Sequence, residues 1–244
     1  MADLPGVSGL DSGLLLRPVS GSNAFEETVQ RLLQTVRLGL VAPGERLPSE
    51  RDLAAQLNVS RDTLRDAIAS LAEAGYLVSR RGRYGGTFVT AVIPTLPGPE
   101  GAAPALVSAA IDDVLTLRDI LEIGAARAAA SRVLPAAERE LLWASLGAAR
   151  EASPEDYRRL DARLHLYIGE LAGSSLLVPL LADVRMRVNE LLDSIPSLGP
   201  NIAHSDAQHE QIVLAILSGR ADAAAQAMRE HLAGTALLLR GFLE

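Results

Sequence analysis

Two groups of residues in this sequence carry chemistry. The first is Asp161, His165, His209 and His231. Asp161 and His165 stand four positions apart, so both project from one face of a helix. His209 and His231 lie on two further helical segments, 22 residues from each other. Three imidazoles and one carboxylate from three helices can meet at the centre of a bundle, where metal sites are commonly built. Nitrogen and oxygen donors without sulfur suit a divalent Zn, Ni, Mn or Co ion, with zinc the first choice. Spacing alone leaves the alternative of ordinary helical histidines, hydrogen-bonded or exposed. A metal site also requires an acceptor on the other nitrogen of each ring, and Glu210 and Glu230 are the nearest acids in sequence. His204, beside Ser205 and Asp206, reads as a loop residue at a helix start. Lining the pocket or substituting as a metal ligand are its other readings.

The second group lies in residues 47–89, LPSERDLAAQLNVSRDTLRDAIASLAEAGYLVSRRGRYGGTFV. Ser49 is placed to cap a helix, with Asp52 three residues on and Leu53, Ala54 and Leu57 facing inward. Asn58 ends that helix, and Ser60 caps a second whose Leu64, Ala67, Ile68, Leu71 and Ala72 follow the 3.6-residue period. Their burial leaves Arg61, Thr63 and Arg65 on the outer face of the first turns, the part of a recognition helix that enters the major groove. Gly75 stops the helix. Residues 77–79 and 87–89 then read as two short strands around Arg80, Arg81, Gly82 and Arg83. A buried hairpin has no use for three arginines at its tip.

The elements that position these residues fall into two domains. Residues 1–21 are rich in Gly and Ser and read as a disordered tail. Residues 22–90 form a winged helix-turn-helix of three helices and a β-hairpin, with a first helix over 24–40 packing Val29, Leu32, Leu33 and Val36 beneath the motif. Residues 91–106, with four Pro up to Pro104, read as a linker unsuited to regular structure. Residues 107–244 read as an all-α bundle of about six helices, over 108–132, 135–150, 154–171, 176–195, 204–218 and 221–243. The fold class is mainly α.

Composition limits the function. The net charge is −7, which alone argues against a general nucleic-acid binder. Residues 1–90, however, carry ten Arg against ten acids, so the whole excess of acid lies in the second half. The absence of Cys excludes disulfides and thiolate ligands and fits a reducing, cytoplasmic setting. No apolar run approaches the roughly 18 residues of a membrane span.

The segment 25–89 resembles the winged helix-turn-helix of the GntR family of bacterial transcription regulators. It shares their Leu-Pro-Ser-Glu-Arg entry and their Val-Ser-Arg-x-Thr-Leu-Arg recognition helix. The segment DARLHLYIGELAGSSLL resembles the Asp-x-x-x-His helix of the FCD ligand-binding domain of FadR-like members. HEQIVLAILSGRADAAAQAMREHL resembles that domain's last helix pair. The resemblance implies that Asp161, His165, His209 and His231 are metal ligands, and that a small carboxylate metabolite is the effector. Leu164 stands where the family usually has an aromatic, a change that bears on pocket shape more than on ligation. Arg118 matches the arginine of the family's Arg-x-x-Leu-Glu stretch, so it pairs either with an effector carboxylate or with Glu122 on an exposed helix face. Arg185 and Asn189 share one helix face and are weaker effector candidates, with a solvent-facing alternative.

The leading expectation is a homodimeric, metabolite-responsive transcription factor acting as a repressor on double-stranded DNA with a palindromic operator. Arg51, Ser60, Arg61, Thr63 and Arg65 would contact DNA from the two helices, and Arg81, Gly82 and Arg83 from the wing. Two other readings remain open: a metal-dependent enzyme with an accessory DNA-binding domain, and a ligand-independent DNA-binding protein with a structural metal. Four protein ligands without an identifiable general base argue against the enzyme.

Overall fold

The computed structural model of the protein describes residues 19, 22–37, 41–82, 85–94, 104–154 and 156–243. They fall into two compact units divided at residues 96–97. The tail at 1–18, Arg83, and most of the expected linker lie outside the described residues.

The N-terminal unit contains α1 (Ala24–Arg37), α2 (Glu50–Leu57), α3 (Arg61–Glu73), β1 (Leu77–Arg80) and β2 (Gly86–Val89). Leu32 and Leu33 of α1, Leu53 and Leu57 of α2, and Leu64 and Leu71 of α3 are fully buried and form its core. Local sequence fixes the helix starts. The Ser49 hydroxyl accepts from the Asp52 amide at 3.3 Å and donates to the Asp52 carboxylate at 2.6 Å. The Ser60 hydroxyl accepts from the Thr63 amide at 3.0 Å. Asn58 makes the turn between the two helices in the left-handed conformation, with φ 54°, which Asn tolerates better than most residues. In the wing, β1 and β2 are antiparallel, with Leu77 opposite Val89 and Arg80 opposite Gly86. The segment before α2 extends this pairing: the Leu47 amide donates to the Thr87 carbonyl and the Val89 amide to the Glu45 carbonyl, both at 2.9 Å.

The C-terminal unit contains α4 (Pro104–Ala130), α5 (Ala136–Arg150), α6 (Tyr157–Leu171), α7 (Leu177–Asp193), α8 (Gly199–Leu217) and α9 (Ala221–Leu243). Its apolar core draws on Ala126 and Ala129 of α4, Leu142 of α5, Leu164 and Ile168 of α6, Leu181 of α7, Ile212 and Val213 of α8, and Met228 and Leu232 of α9. Three arginines tie helix ends across the bundle, donating to last-turn carbonyls where the helix dipole favours a cation. Arg132 reaches Leu171 of α6 at 2.5 Å, Arg158 reaches Leu192 of α7 at 2.7 Å, and Arg139 reaches Leu217 of α8 at 3.0 Å.

Three helix starts differ from the sequence reading. The α4 helix begins at Pro104, inside the expected linker, because a proline in a first turn forfeits no hydrogen bond. Similarly, α8 starts at Gly199 with Pro200 in its first turn, so residues 199–203 are helix and not loop. His204 therefore lies inside α8 and is neither a loop nor a helix-start residue. In the other direction, Ser153 closes a turn, accepting from the Asp156 amide at 3.3 Å, and α6 starts only at Tyr157.

Candidate metal centre and nucleic-acid interface

The bundle brings Asp161 and His165 of α6, His209 of α8 and His231 of α9 together, all four buried, with one donor atom from each lying within 4.8 Å of the others. His209 Nε2 is the hub. It stands 3.2 Å from His165 Nε2, 3.3 Å from His231 Nε2 and 3.2 Å from Asp161 Oδ1. His165 Nε2 is 3.7 Å from the same carboxylate oxygen.

The outer ring nitrogens show which way the lone pairs point. The Glu122 carboxylate lies directly against His165 Nδ1. His231 Nδ1 stands 3.3 Å from Gln208 Oε1, which can only accept. Both Nδ1 atoms therefore carry the hydrogen, and both Nε2 lone pairs point inward. A single hydrogen on His209 Nε2 can serve only one of its three neighbours, so the remaining lone pairs face one another. A cation among them removes that repulsion. Donors about 2.1 Å from one ion stand roughly 3.0–3.4 Å apart, which the three contacts of His209 match. The other donor pairs are wider, 3.7 Å between His165 and Asp161 and within 4.8 Å for the set. The residues thus fit a divalent ion.

Charged side chains surround this cluster. Arg118 Nε donates to Glu122 Oε1 at 3.1 Å, and both residues are buried. Arg185 donates to Asp161 Oδ2, on the side of the carboxylate away from the histidines, and its Nη1 lies 3.7 Å from Glu122 Oε1. Arg118 Nη1, Arg185 Nε and Asn189 Oδ1 are buried without a hydrogen-bond partner among the described residues. Burial pushes the Asp161 carboxyl up, but Arg185 and the adjacent imidazoles outweigh it and hold it well below the usual carboxylate range. Glu122 follows the same pattern, with burial opposed by His165, Arg118 and Arg185.

Burial lowers His165 and His231 below the ordinary histidine value of 6.5. The unfolded chain therefore binds more protons than the folded one near that pH, and the stability these groups confer is lost as pH falls through it. We expect the melting temperature of chelated protein to fall between about pH 7 and pH 5. A flat profile would mean that neither ring is held neutral by the fold.

Two sequence expectations are corrected here. Arg118 does pair with Glu122, but the pair is fully buried and not on an exposed face. Arg185 is buried and does not face solvent, and Asn189 is half-buried with its Oδ1 buried. The acceptors found on the ring nitrogens are Glu122 and Gln208, whereas Glu210 pairs with Arg150 at 3.4 Å and Glu230 accepts from Gln226. His204 is half-buried and is not one of the four converging donors. A periodicity signal existed for the burial of Arg185 and Glu122, which their residue types concealed. Arg185 falls on the stripe of Leu181, Val184 and Val188, and Glu122 on that of Leu115, Ala125 and Ala129.

In the N-terminal unit, Arg51, Ser60, Arg61, Arg65, Arg81 and Gly82 are exposed and Thr63 is half-buried against the Ser60 hydroxyl. Arg65 Nε donates to Glu50 Oε2 at 3.0 Å, which joins the first turns of α3 and α2.

Residues 25–89 match the bacterial regulatory proteins of the gntR family, and residues 113–234 match the FCD domain. A protein of Escherichia coli (strain K12) named as regulator of the L-lactate dehydrogenase operon is 30% identical over 95% of this chain and 91% of its own. The HTH-type transcriptional regulator LutR of Bacillus subtilis is 26% identical over 86% of this chain and 98% of its own. Among solved structures, Streptococcus agalactiae GntR is similar at 25% identity and a TM-score of 0.45, over 87% of this chain and 98% of that one. The chain belongs to the FadR-like, FCD-containing branch of the GntR family and is a DNA-binding transcription regulator, not an enzyme.

Proposed function

We propose that this regulator binds one divalent metal ion through Asp161, His165, His209 and His231, and that a small carboxylate completes the site and alters DNA affinity. The observation that carries this reading is the convergence of three Nε2 atoms and one carboxylate oxygen around His209. The ion supplies a Lewis-acidic seat for an anion. Around that seat, Arg118 and Arg185 offer buried guanidinium atoms without hydrogen-bond partners among the described residues, suited to a carboxylate as two-pronged donors. With the ion bound, two carboxylates face two guanidinium groups and a divalent cation, so the buried cluster favours an anionic ligand. The E. coli relative makes L-lactate and related 2-hydroxycarboxylates the first class to test.

Calorimetric titration of L-lactate and of small dicarboxylates into zinc-loaded protein tests the site. Saturable binding that chelation abolishes supports it. Binding that survives chelation contradicts the role of the ion.

Arg61, Thr63 and Arg65 of α3, with Ser60 and Arg51, make the sequence-reading surface in this account, and Arg81, Gly82 and Arg83 the wing contacts. The free protein holds Arg65 between Glu50 at 3.0 Å and Asp62 at 3.9 Å. Arg65→Ala should weaken binding to a duplex selected from a random pool by about 1–3 kcal/mol. Equal affinity of variant and parent would remove Arg65 from the contact surface.

The reading includes a homodimer acting as a repressor in the cytoplasm. On α4, Leu117 and Ile120 are exposed to 44% and 67%, and a methyl group placed on Gly124, one turn on, would meet no other part of the described residues within 4 Å. This apolar strip suits a second copy, and a two-fold dimer implies an inverted-repeat operator. No helix among the described residues is long and apolar enough to cross a membrane.

A further inference from the structure

A cleft of about 400 Å³ opens at the base of the wing, lined by Arg46, Ser49, Arg51, Arg80 and Gly86 among others. Backbone pairing fixes Arg46 there, because the segment before α2 runs along β2 with Arg46 opposite Phe88. Its guanidinium lies on the bare Cα of Gly86. A methyl group at that position would stand 2.4 Å from Arg46 Nε and 3.0 Å from Cζ. Gly86 also has φ 148°, a conformation that side chains disfavour. Arg80, opposite Gly86 in the hairpin, sets its guanidinium 4.6 Å from the centre of the Phe88 ring.

Two guanidinium groups are therefore held at this cleft, and neither has a carboxylate partner among the described residues. Arg51 and Arg65 differ, being paired with Asp52 at 3.5 Å and Glu50 at 3.0 Å. Glu50 also lines the cleft, and its bond to Arg65 partly offsets its charge and places the cleft beside the first turn of α3. Two guanidiniums without a carboxylate partner among the described residues, one of them over a side-chain-free glycine, suit an anion with several acceptor oxygens and no donor, which is a phosphodiester.

We propose that this cleft seats a backbone phosphate of the bound duplex, held by Arg46 with Arg80, and that Arg46 is a positioning residue that sets how α3 meets the groove. The inference rests on the DNA binding of the family and is independent of the metal and effector reading. Phosphate contacts fix register but carry no sequence information. Losing one therefore weakens binding to every sequence alike and lowers the salt dependence.

The test measures full-length protein binding to a short labelled duplex of arbitrary sequence across a salt series, for the parent, Arg46→Ala and Arg46→Lys. We expect Arg46→Ala to bind several-fold more weakly and to lower the slope of log affinity against log salt by about 0.9. Arg46→Lys keeps the charge and should keep the slope, while losing part of the affinity with the planar fork. Melting temperatures close to the parent's establish that both variants fold. An unchanged slope in folded Arg46→Ala overturns the proposal. So does a loss confined to a selected operator, which would make Arg46 a base reader. Inorganic phosphate that stabilises the parent but not Arg46→Ala, in the absence of any effect on DNA binding, would assign the cleft to a free phosphate ligand instead. A parent protein that fails to bind any duplex at low salt would overturn DNA binding itself, which separates that failure from the loss of this contact.

Discussion

His209→Ala is expected to abolish stoichiometric metal binding. His209 Nε2 is the atom that touches the other donors, at 3.2 and 3.3 Å to the two imidazoles and 3.2 Å to Asp161. Without it, a carboxylate and two imidazoles remain around an open side, and the chelate is lost. A ligand that binds only the folded state stabilises it by about 2.7 kcal/mol when present at a hundredfold excess over its dissociation constant. The parent should therefore lose melting temperature on chelation, while His209→Ala should start lower and show no response to chelator. Elemental analysis after dialysis supplies the second reading, about one ion per chain in the parent and none in the variant. His204→Ala provides the contrast. His204 lies on the same helix but is not one of the converging donors, so that variant should keep its ion. Equal metal content in parent and His209→Ala would show that the cluster is not the site.

Glu122→Ala should have the largest effect on stability. Glu122 is 1% exposed and answers three groups: Arg118 Nε at 3.1 Å, Arg185 Nη1 at 3.7 Å and His165 Nδ1. Removing one partner of a buried ion pair costs about 3–5 kcal/mol, because the other charge is left buried and uncompensated. For a chain of this size that corresponds to a fall of about 10 °C in melting temperature. Glu122→Gln keeps the volume and one acceptor oxygen but not the charge. It should cost less stability and weaken metal binding about 10- to 100-fold, as expected when the group that orients a ligating imidazole is altered. Replacing Arg118 and Glu122 together by leucine should recover part of the loss, since no unpaired charge then remains on α4. A single-variant cost below about 1 kcal/mol would mean that the pair is solvated.

These two cases show where the sequence was legible. Asp161 and His165 could be placed on one helix face from their spacing, because a four-residue interval is a local property. The six bundle helices followed from the 3.6-residue period for the same reason. The burial of Glu122, Arg118 and Arg185 was not legible by residue type, since charged side chains are rarely buried and an i,i+4 Arg–Glu pair is usually a surface feature. Their burial depends on one another: each guanidinium enters the core only because a carboxylate from another turn or helix meets it. Position within the apolar stripe of α4 or α7 was the local sign that remained. Prolines gave the opposite error. Pro104 and Pro200 suggested irregular chain, yet each sits in a first helical turn, where the missing amide costs nothing. Arg46 was passed over because its role depends on Gly86, forty residues away and adjacent only once the strands pair.

The central claim is that occupation of the metal site by a carboxylate changes affinity for DNA. The direct measurement is fluorescence anisotropy of a duplex selected by the protein from a random pool, titrated with zinc-loaded protein in the presence and absence of saturating L-lactate. Allosteric coupling of ordinary size gives a change of about 5- to 150-fold, toward release if the protein is a repressor. The account predicts such a change, and predicts its loss both on chelation and in His209→Ala. If the carboxylate binds the metal-loaded protein and the affinity for DNA stays the same, the two units are uncoupled and the claim is wrong.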